Sequence, residues 1–499
     1  MKPLIIRADA NPDIGTGHVM RCLAFAEAWQ DAGGIVVFVS AYNLPALKDR
    51  LKKEGIQVLS LHETAGTTDD ACKTTRIAHK LGAEWVVVDG YQFGAEYQKT
   101  IRETGVSLLF IDDYGHADHY YADIVLNQNI YANMSFYKKS EPYTRFLLGS
   151  KYVLIRKEFL DRPPHQRTIP EIARKILITL GGSDPDNITL MILDAVKAID
   201  MKNIETIVVA GSANRHIEFL DKSVKKYSGM KLIRNAGNMP TLMEWADIAI
   251  SSGGSTCWEL LYMGVPSLVI PIAANQDLVV HELESRQVAK VFHINDATNP
   301  GNLAGIISDF LQFREIREAF SERMVQYVDG KGPLRTIAAM RTQFIALRRA
   351  ELSDCDQVWQ WINDPLVRSV SFSPNPIPLE RHAEWFYSAV KDPALVYYIA
   401  MDNKTRPIGQ VRFNMSSCEA VISVLIDPGY RGLSLGSLLI HLATDKLFTE
   451  TEIEKVKAFI KTENEVSRKA FIKAGYHERG LTECSGEPAY FLIKFRGER

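Results

Sequence analysis

Between Arg7 and Cys22 the chain reads RADANPDIGTGHVMRC. A short apolar run, Pro3–Ala8, precedes this stretch, and an apolar helical pattern begins near Val19. A glycine-containing loop therefore joins a strand end to a helix start. Glycines let backbone approach phosphate closely, and a helix N-terminus offers unpaired N–H groups and a partial positive charge. Gly15 and Gly17 suit that task. His18 stands at the start of the helix, at the mouth of a cleft, as a candidate general base. Taken alone, G-x-G-H fits a turn with a capping histidine equally well.

A second glycine loop, SSGGST at Ser251–Thr256, opens another apolar helix. Its N–H groups could hold a pyrophosphate. Glu259 follows one turn into that helix, and Asn275 and Gln276 lie in a loop beyond the next strand. Asp9, Asp112, Asp113 and Asn127 fall at predicted strand ends facing the same cleft. The plain alternatives are a solvated helix carboxylate for Glu259 and turn chemistry for Asn275 and Gln276. His116 and His119, in GHADHY, are the only close histidine pair and read as solvated loop residues, so no metal site is expected.

RADAN..IGTGHVMRC, IDDYGHADHYYADIVLNQN (Ile111–Asn129), LGGSDPDN (Leu180–Asn187) and SSGGSTCWELLYMGVPSLVIPIAANQ (Ser251–Gln276) occur in that order. Together they resemble the UDP-sugar hydrolases of pseudaminic acid biosynthesis, which release UDP from UDP-2,4-diacetamido-2,4,6-trideoxy-β-L-altropyranose. The resemblance spans roughly residues 1–341. It implies that His18 activates water and that Gly17 approaches the phosphates. It also implies that Ser255 and Thr256 sit at the pyrophosphate, Glu259 at the ribose, and Asn275 and Gln276 near the sugar and phosphates. Asp9, Asp112 and Asn127 would take weaker parts in sugar recognition. Inversion at the anomeric carbon comes from the resemblance alone.

Toward the end, VISVLIDPGYRGLSLGSLLIHLATDKLF (Val421–Phe448) places a strand, the loop RGLSLG and an apolar helix in succession. This resembles the coenzyme A motif of the GNAT acetyltransferases, in which loop N–H groups bind the pyrophosphate. The resemblance assigns Ile426, Arg431, Gly432, Ser434 and Gly436 to acetyl-CoA, with Ser434 standing where glycine is usual. Asn464, after the strand Val456–Ile460, matches an asparagine that contacts the coenzyme arm. Phe471 stands where many GNAT enzymes have a tyrosine acid, and Tyr476 in AGY reads as a core residue. WQWINDPLVRSVSFSPNPIPLERHAEWF resembles acetyltransferases of 4-amino nucleotide sugars, which would place Asn363, Arg368 and His382 at the acceptor.

Elements that could hold these residues are readable. Strand candidates alternate with helical patterns through the first 150 residues: Pro3–Ala8, Ile35–Ser40, Val58–Leu61, Trp85–Val88, Ser107–Ile111 and Ile124–Leu126. Such alternation implies parallel βαβ units. DRPPHQRTIPE, from Asp161 to Glu171, reads as a linker. The pattern restarts with Lys175–Leu180, Ile204–Ala210, Lys231–Arg234, Ile248–Ser251 and Ser267–Pro271, then turns helical and charged from Ile306 to Arg341. Near Phe344 a third unit opens with a strand, FIALRRAEL, and Ser353 is a plausible N-cap for a helix reaching Ile362. Tyr397–Met401, Pro407–Asn414 and Ala420–Ile426 read as meandering strands.

The expected fold class is α/β: two Rossmann-like halves in the GT-B arrangement, residues 1–160 and 161–342, followed by a GNAT domain, 343–499. The 499 residues carry 58 basic and 60 acidic side chains, a net charge of −2, with no like-charge run long enough to suggest a nucleic-acid or membrane patch. Nucleic-acid and membrane partners are not expected. The opening apolar run is too short for a signal peptide, and no stretch approaches the roughly 20 residues of a membrane span. Six scattered cysteines without a C-x-x-C pair fit reduced, mostly buried thiols in the cytoplasm. The expected ligands are a UDP-linked amino sugar, water and acetyl-CoA as co-substrate. Rival readings are a UDP-sugar glycosyltransferase with a coenzyme A-binding but non-catalytic domain, and the same chemistry on a legionaminic-type sugar.

Overall fold

The computed structural model describes residues 2–498 apart from 12–13, 43–44, 163–166, 183, 212–213, 295–299, 343–344, 403–405 and 432–434. It forms two compact units, Met1–Thr336 and Ile337–Arg499.

The first unit holds two parallel sheets. One comprises β1 (Leu4–Ala8), β2 (Val36–Ser40), β3 (Gln57–Ser60), β4 (Trp85–Asp89), β5 (Ser107–Ile111), β6 (Ile124–Asn127) and β7 (Arg145–Leu148), in the order β3-β2-β1-β4-β5-β6-β7. The other comprises β8 (Lys175–Thr179), β9 (Glu205–Ala210), β10 (Met230–Arg234), β11 (Ile248–Ser252), β12 (Ser267–Ile270) and β13 (Lys290–Val291), in the order β10-β9-β8-β11-β12-β13. Runs such as LIIRA and WVVVD are buried along their whole length. That composition suits strands covered on both faces by crossover helices. Strand order reverses between β1 and β4 and again between β8 and β11. Such reversals open the crevices where ligands of doubly wound sheets sit.

The halves share apolar packing. Val153, Ile155 and Phe159, which follow β7, are buried in one cluster with Leu177, Trp258 and Leu261 of the second half. Residues 163–166 of the expected linker lie outside the described residues. On either side, Arg162 donates to Thr241 at 2.8 Å and Arg167 to the Met243 carbonyl at 3.0 Å, so the connection is docked. Helices Pro300–Gln312, Arg314–Met324 and Gly332–Arg341 follow β13.

The second unit is a mixed sheet of β14 (Ala346–Arg349), β15 (Leu395–Met401), β16 (Pro407–Ser416), β17 (Glu419–Ile426), β18 (Lys455–Lys461), β19 (His477–Cys484) and β20 (Glu487–Phe495). Its order is β14-β15-β16-β17-β18-β20-β19. β17 and β18 run parallel and pair only from Glu419↔Lys455 to Val421↔Lys457. Beyond that point they part, leaving the β17 edge from Ile422 to Ile426 unpaired with β18. Ser353 does not cap the helix Cys355–Ile362. It sits inside a 3-10 turn closed by a reciprocal capping box between Glu351 and Asp354, and Asp354 is also held by Arg348 at 2.6 Å. β7, β13 and the hairpin β19–β20 add strands that sequence reading passed over. Among the described residues no helix is long and apolar enough to cross a membrane.

Candidate active site

The helix Gly17–Asp31 starts from the carboxyl end of β1, at the first reversal point. Gly15 has φ +73°, a left-handed turn that glycine adopts without strain and that lets the loop swing into the helix. His18 then lies against β4. Its Nδ1 is 2.7 Å from Asp89 Oδ1, and Asp89 ends that strand. Arg21, one turn on, donates to both Asp89 oxygens at 2.6 Å and to Asp113 Oδ1 at 2.7 Å. Tyr91 stands edge-on to the imidazole, ring centres 4.9 Å apart, and donates its hydroxyl to Asp113 Oδ2 at 2.8 Å.

Charge balance makes this cluster rigid. Burial alone would raise the Asp89 and Asp113 carboxyls, but the Arg21 guanidinium and His18 hold both below the usual carboxylate range. Burial and Asp113 push the Tyr91 phenol up, so it stays a protonated donor. A carboxylate at Nδ1 fixes the tautomer with the proton there. Nε2, bonded to no described residue, is then free to accept a proton.

The second half faces this cluster with the helix Thr256–Met263. Gly253, Gly254 and Ser255 lead into it from β11. A side chain at Gly253 would lie 2.8 Å from Val280 Cγ1, so glycine is required for the loop to pass. Gln276 Oε1 pins the same loop by accepting the Gly253 and Ile272 N–H groups, each at 3.0 Å. Asn275 reaches the Tyr91 hydroxyl at 3.3 Å and ties the halves together. A Cβ built on Gly17 would be 4.0 Å from Ser255 Oγ, so the two helix N-termini converge. Between them lies an open cleft of about 640 Å³ lined by Gly17, His18, Tyr91, Asp113, Ser255 and Asn275, among others. Two converging helix N-termini can hold an anion, and the histidine beside them can take a proton.

Not every expected residue reaches the cleft. Asp112 is wholly buried and consumed by its own turn, accepting the N–H groups of Asp113, Tyr114 and Gly115 and the Tyr120 hydroxyl. Asp9 is likewise buried, accepting Ala41 N–H at 2.8 Å and pairing with Arg7 at 2.7 Å. Asn127 donates to the Asp113 carbonyl and the Tyr137 hydroxyl. Short polar side chains at strand ends meet the unpaired N–H groups of the following turn first. These three shape the walls behind the cleft. Glu259 is paired with Arg156 Nε and Nη2 at 2.9 and 2.8 Å, and burial nonetheless lifts its carboxyl. Thr256 is the first residue of its helix. His116 is not a solvated histidine: it binds Asp112 at 3.0 Å and is nearly buried, while His119 pairs with Glu141. Among the described residues no cluster of three or more His, Cys, Asp or Glu could hold a metal ion.

Sequence reading missed Asp89, Arg21, Tyr91 and Asn129, whose amide lines the cleft and donates to Asp113 Oδ1 at 2.7 Å. Arg21 is legible as the i+3 neighbour of His18 on one helix face. Asp89 is signalled by WVVVDG, an acidic residue closing a buried strand.

In the second unit, Gly432 and Ser434 lie outside the described residues. Arg431 donates to the Ile426 carbonyl at 3.0 Å and to Asp364 at 2.6 Å, which ties the loop to a neighbouring helix cap. Gly436 opens the helix Leu435–Glu450 close to Ile426 and Ala470. Asn464 caps the helix Glu465–Lys473 through Ser467 N–H at 3.1 Å. Phe471 and Tyr476 are both buried, rings at right angles and 5.0 Å apart, with the Tyr476 hydroxyl on Thr444 at 2.8 Å. Asn363 clamps the Ile377 backbone at 2.8 and 3.0 Å, and Arg368 folds the next loop through Ser373 and Asn375 carbonyls. His382 is 2% exposed among Trp385 and Phe386, its Nε2 unbonded and burial disfavouring its charged form. It is a core residue in this structure, and does not line an open acceptor site. The unpaired β17 edge and the start of Leu435–Glu450 fit an extended, amide-bearing arm ending in phosphates.

Residues 176–326 match the glycosyltransferase family 28 C-terminal domain, and residues 345–477 match the acetyltransferase (GNAT) domain. The chain carries a GNAT domain. An uncharacterised protein of Methanocaldococcus jannaschii is 24% identical over 448 residues, 85% of this chain and 86% of its own. The spore coat polysaccharide biosynthesis protein SpsG of Bacillus subtilis is 27% identical over 343 residues, 67% of this chain and 97% of its own. The UDP-2,4-diacetamido-2,4,6-trideoxy-beta-L-altropyranose hydrolase of Campylobacter jejuni is 27% identical over 276 residues, 55% of this chain and 93% of its own.

Proposed function

We propose that the chain is a bifunctional nucleotide-sugar enzyme of pseudaminic acid synthesis. Its first unit hydrolyses UDP-2,4-diacetamido-2,4,6-trideoxy-β-L-altropyranose to free sugar and UDP. Its second acetylates the 4-amino group of the precursor UDP-sugar with acetyl-CoA. The observation that carries the hydrolase reading is His18, held at Nδ1 by Asp89 with Nε2 turned to a cleft between two helix N-termini.

In this reading Nε2 takes a proton from water as the water oxygen bonds to the anomeric carbon. The bond from that carbon to the UDP oxygen breaks, and UDP leaves with the bonding pair. UDP is a good leaving group, and the N–H groups at Ser255 and Thr256 would stabilise its charge. Glu259, once released from Arg156, would serve the ribose. In the second unit Ile426, Arg431, Gly432, Ser434, Gly436 and Asn464 would hold acetyl-CoA, which supplies an activated acetyl group to the amine. Phe471 offers no proton, so the departing thiolate would be protonated by solvent or by the amine's own proton.

The match to a glycosyltransferase domain favours a second reading, transfer of the sugar to an acceptor other than water. Incubation with the UDP-linked 4-amino sugar in heavy-oxygen water, with and without acetyl-CoA, separates the two by mass spectrometry. Diacetamido sugar labelled at its anomeric oxygen, with unlabelled UDP, only when acetyl-CoA is present, supports both activities. Acetylated UDP-sugar that accumulates without UDP release overturns the hydrolase and favours transfer.

A further inference from the structure

Arg412 lies in the middle of β16, where it faces Tyr397 on β15 and Ser423 on β17. Its guanidinium stacks on the Trp385 indole, with Cζ 5.0 Å from the ring centre. It is half-buried, yet among the described residues it has no carboxylate and no hydrogen-bond acceptor, and its Nε is fully enclosed without a partner. Most other arginines on this unit have such partners: Arg348 holds Asp354, Arg406 holds Asp402, Arg431 holds Asp364 and Arg468 holds Glu465. A desolvated cation without an anion is costly. Burial disfavours the charged form of Arg412, with only the Tyr397 phenol nearby to offset it.

The surroundings are open on one side. Trp385 is 38% exposed, and Ser423 and Asn414, on the same face as Arg412, are exposed. Directly paired residues in an antiparallel ladder have Cα atoms about 4.5–5.5 Å apart, so Ser423 and Arg412 leave the sheet side by side on one face. Ser423 also lies two residues past Val421, where β17 and β18 part. This face is therefore next to the point where the gap proposed for the acetyl donor opens.

We propose that Arg412, with Trp385 and Ser423, is a subsite for a diphosphate on the acetyl acceptor, so that this unit acts on a nucleotide-linked amino sugar and not on the free sugar. This rests on the acetyltransferase reading and deepens it. Arg is suited to the task because its planar fork binds phosphate oxygens in pairs. The exposed indole gives the flat face that a base or sugar ring needs. Acetylation then has to precede loss of UDP, because the released sugar lacks the charge that Arg412 recognises.

Two measurements on the full chain test this. Calorimetric titration with UDP should show two sites per chain in the wild type and one in Arg412→Gln, with pyrophosphate but not uridine competing for the site lost. Acetyl transfer, followed as thiol release, should show KM for the UDP-linked amino sugar rising about tenfold or more in Arg412→Gln. The KM for acetyl-CoA should stay unchanged, and the free amino sugar should be a poor acceptor for wild type and variant alike. Ser423→Asp offers a second route that does not depend on removing Arg412. A carboxylate opposite the guanidinium should keep or raise the melting temperature while abolishing the second UDP site. One UDP site in the wild type, or two in both variants, overturns the proposal. Two sites in the wild type, one in Arg412→Gln and no acetyl transfer to any amine would leave the diphosphate site standing and overturn the acetyltransferase reading instead.

Discussion

Asp89→Asn is the sharpest probe of the His18 cluster. Asp89 accepts from His18 Nδ1 at 2.7 Å, from Arg21 Nε and Nη2 at 2.6 Å each, and from the Cys22 thiol at 3.5 Å. An amide has one oxygen, so one side must meet an N–H. With the amide oxygen in the Oδ2 place, Arg21 Nε and Cys22 keep their acceptor, Arg21 Nη2 still has Asp113 Oδ2 at 3.1 Å, and the amide N–H turns toward His18 Nδ1. The ring then accepts at Nδ1 and carries its proton on Nε2, where it can no longer take one from water. A general base contributes about 10²–10⁴ in rate, and a tautomer-reversing amide in Ser-His-Asp enzymes costs about 10⁴. The expected fall in kcat for UDP release is about 10²–10⁴, or roughly 3–5.5 kcal/mol of barrier. KM should stay within about threefold, because the cleft's N–H groups are untouched. Arg21 keeps Asp113, so the loss of stability should be about 1–3 kcal/mol, below the cost of stripping a buried charge of every partner. The assay is initial-rate UDP release, with circular dichroism to confirm folding. If Asp89→Asn keeps kcat within about threefold while His18→Ala is inactive, the orienting role assigned to Asp89 is wrong. If both keep their activity, His18 is not the base.

Three further outcomes can be checked independently. Alkylation of the native protein should label exposed Cys418 first and leave Cys22, Cys257 and Cys355 unmodified until denaturation, since burial pushes the Cys257 thiol up to about 12; early loss of Cys257 in peptide mapping would refute this. Tyr476→Phe should cost about 1 kcal/mol through the lost Thr444 bond and leave the acetyl-transfer rate within about twofold, because Phe471 and Tyr476 are both core residues; a tenfold or larger fall would make Tyr476 the acid. His116 is held above its ordinary value because, although burial opposes its charge, the Asp112 bond outweighs that. A raised folded value means the pairing stabilises fully below about pH 6.5 and is lost as pH rises through the folded value. The melting-temperature gap between wild type and His116→Gln should therefore be widest near pH 5.5 and shrink toward pH 8.5, and a gap independent of pH would count against the ion pair.

How much of this was readable in the residues depends on whether the partner lies nearby in the chain. Gly15, Gly17 and His18 were legible because a strand, a glycine turn and a helix occupy fewer than thirty consecutive residues, and the chemistry of a helix N-terminus is local. The same holds for SSGGST ahead of Glu259. Asp89 was not singled out, because its pairing with His18 requires β4 to lie beside β1, which a doubly wound order supplies but no local pattern shows. Arg156 meets Glu259 from across the two halves and has no signal in its own neighbourhood. Asp9 and Asp112 misled for the opposite reason: a carboxylate at a strand end looks aimed at a cleft, yet Asp112 is taken by the N–H groups of its own turn and Asp9 by Arg7 and the Ala41 N–H beyond the neighbouring strand. β19 was missed because it is polar and exposed along most of its length and lacks the alternation that marks a half-buried strand.

Arg412 marks the limit of local reading. In the sequence it is one charged residue in an alternating strand, QVRFN, where an outward-facing arginine would be solvated and unremarked. Its meaning comes from what the fold withholds. Helix Leu379–Ala389 covers the guanidinium with Trp385, and neither neighbouring strand provides a carboxylate. Composition balances charge over the whole chain, 58 basic against 60 acidic residues, but desolvation is settled side chain by side chain. An unpaired cation beside an acyl-donor gap is a requirement placed on the ligand. The same logic applies in the first unit, where two helix N-termini converge and the Asp113 carboxylate lining the cleft is already paired with Arg21. Both units thus leave positive potential unanswered at the place where substrate must bind. In the proposed reactions a nucleotide diphosphate would answer it in each, which would make the nucleotide the feature common to both and set their order: acetylation while UDP is attached, hydrolysis after.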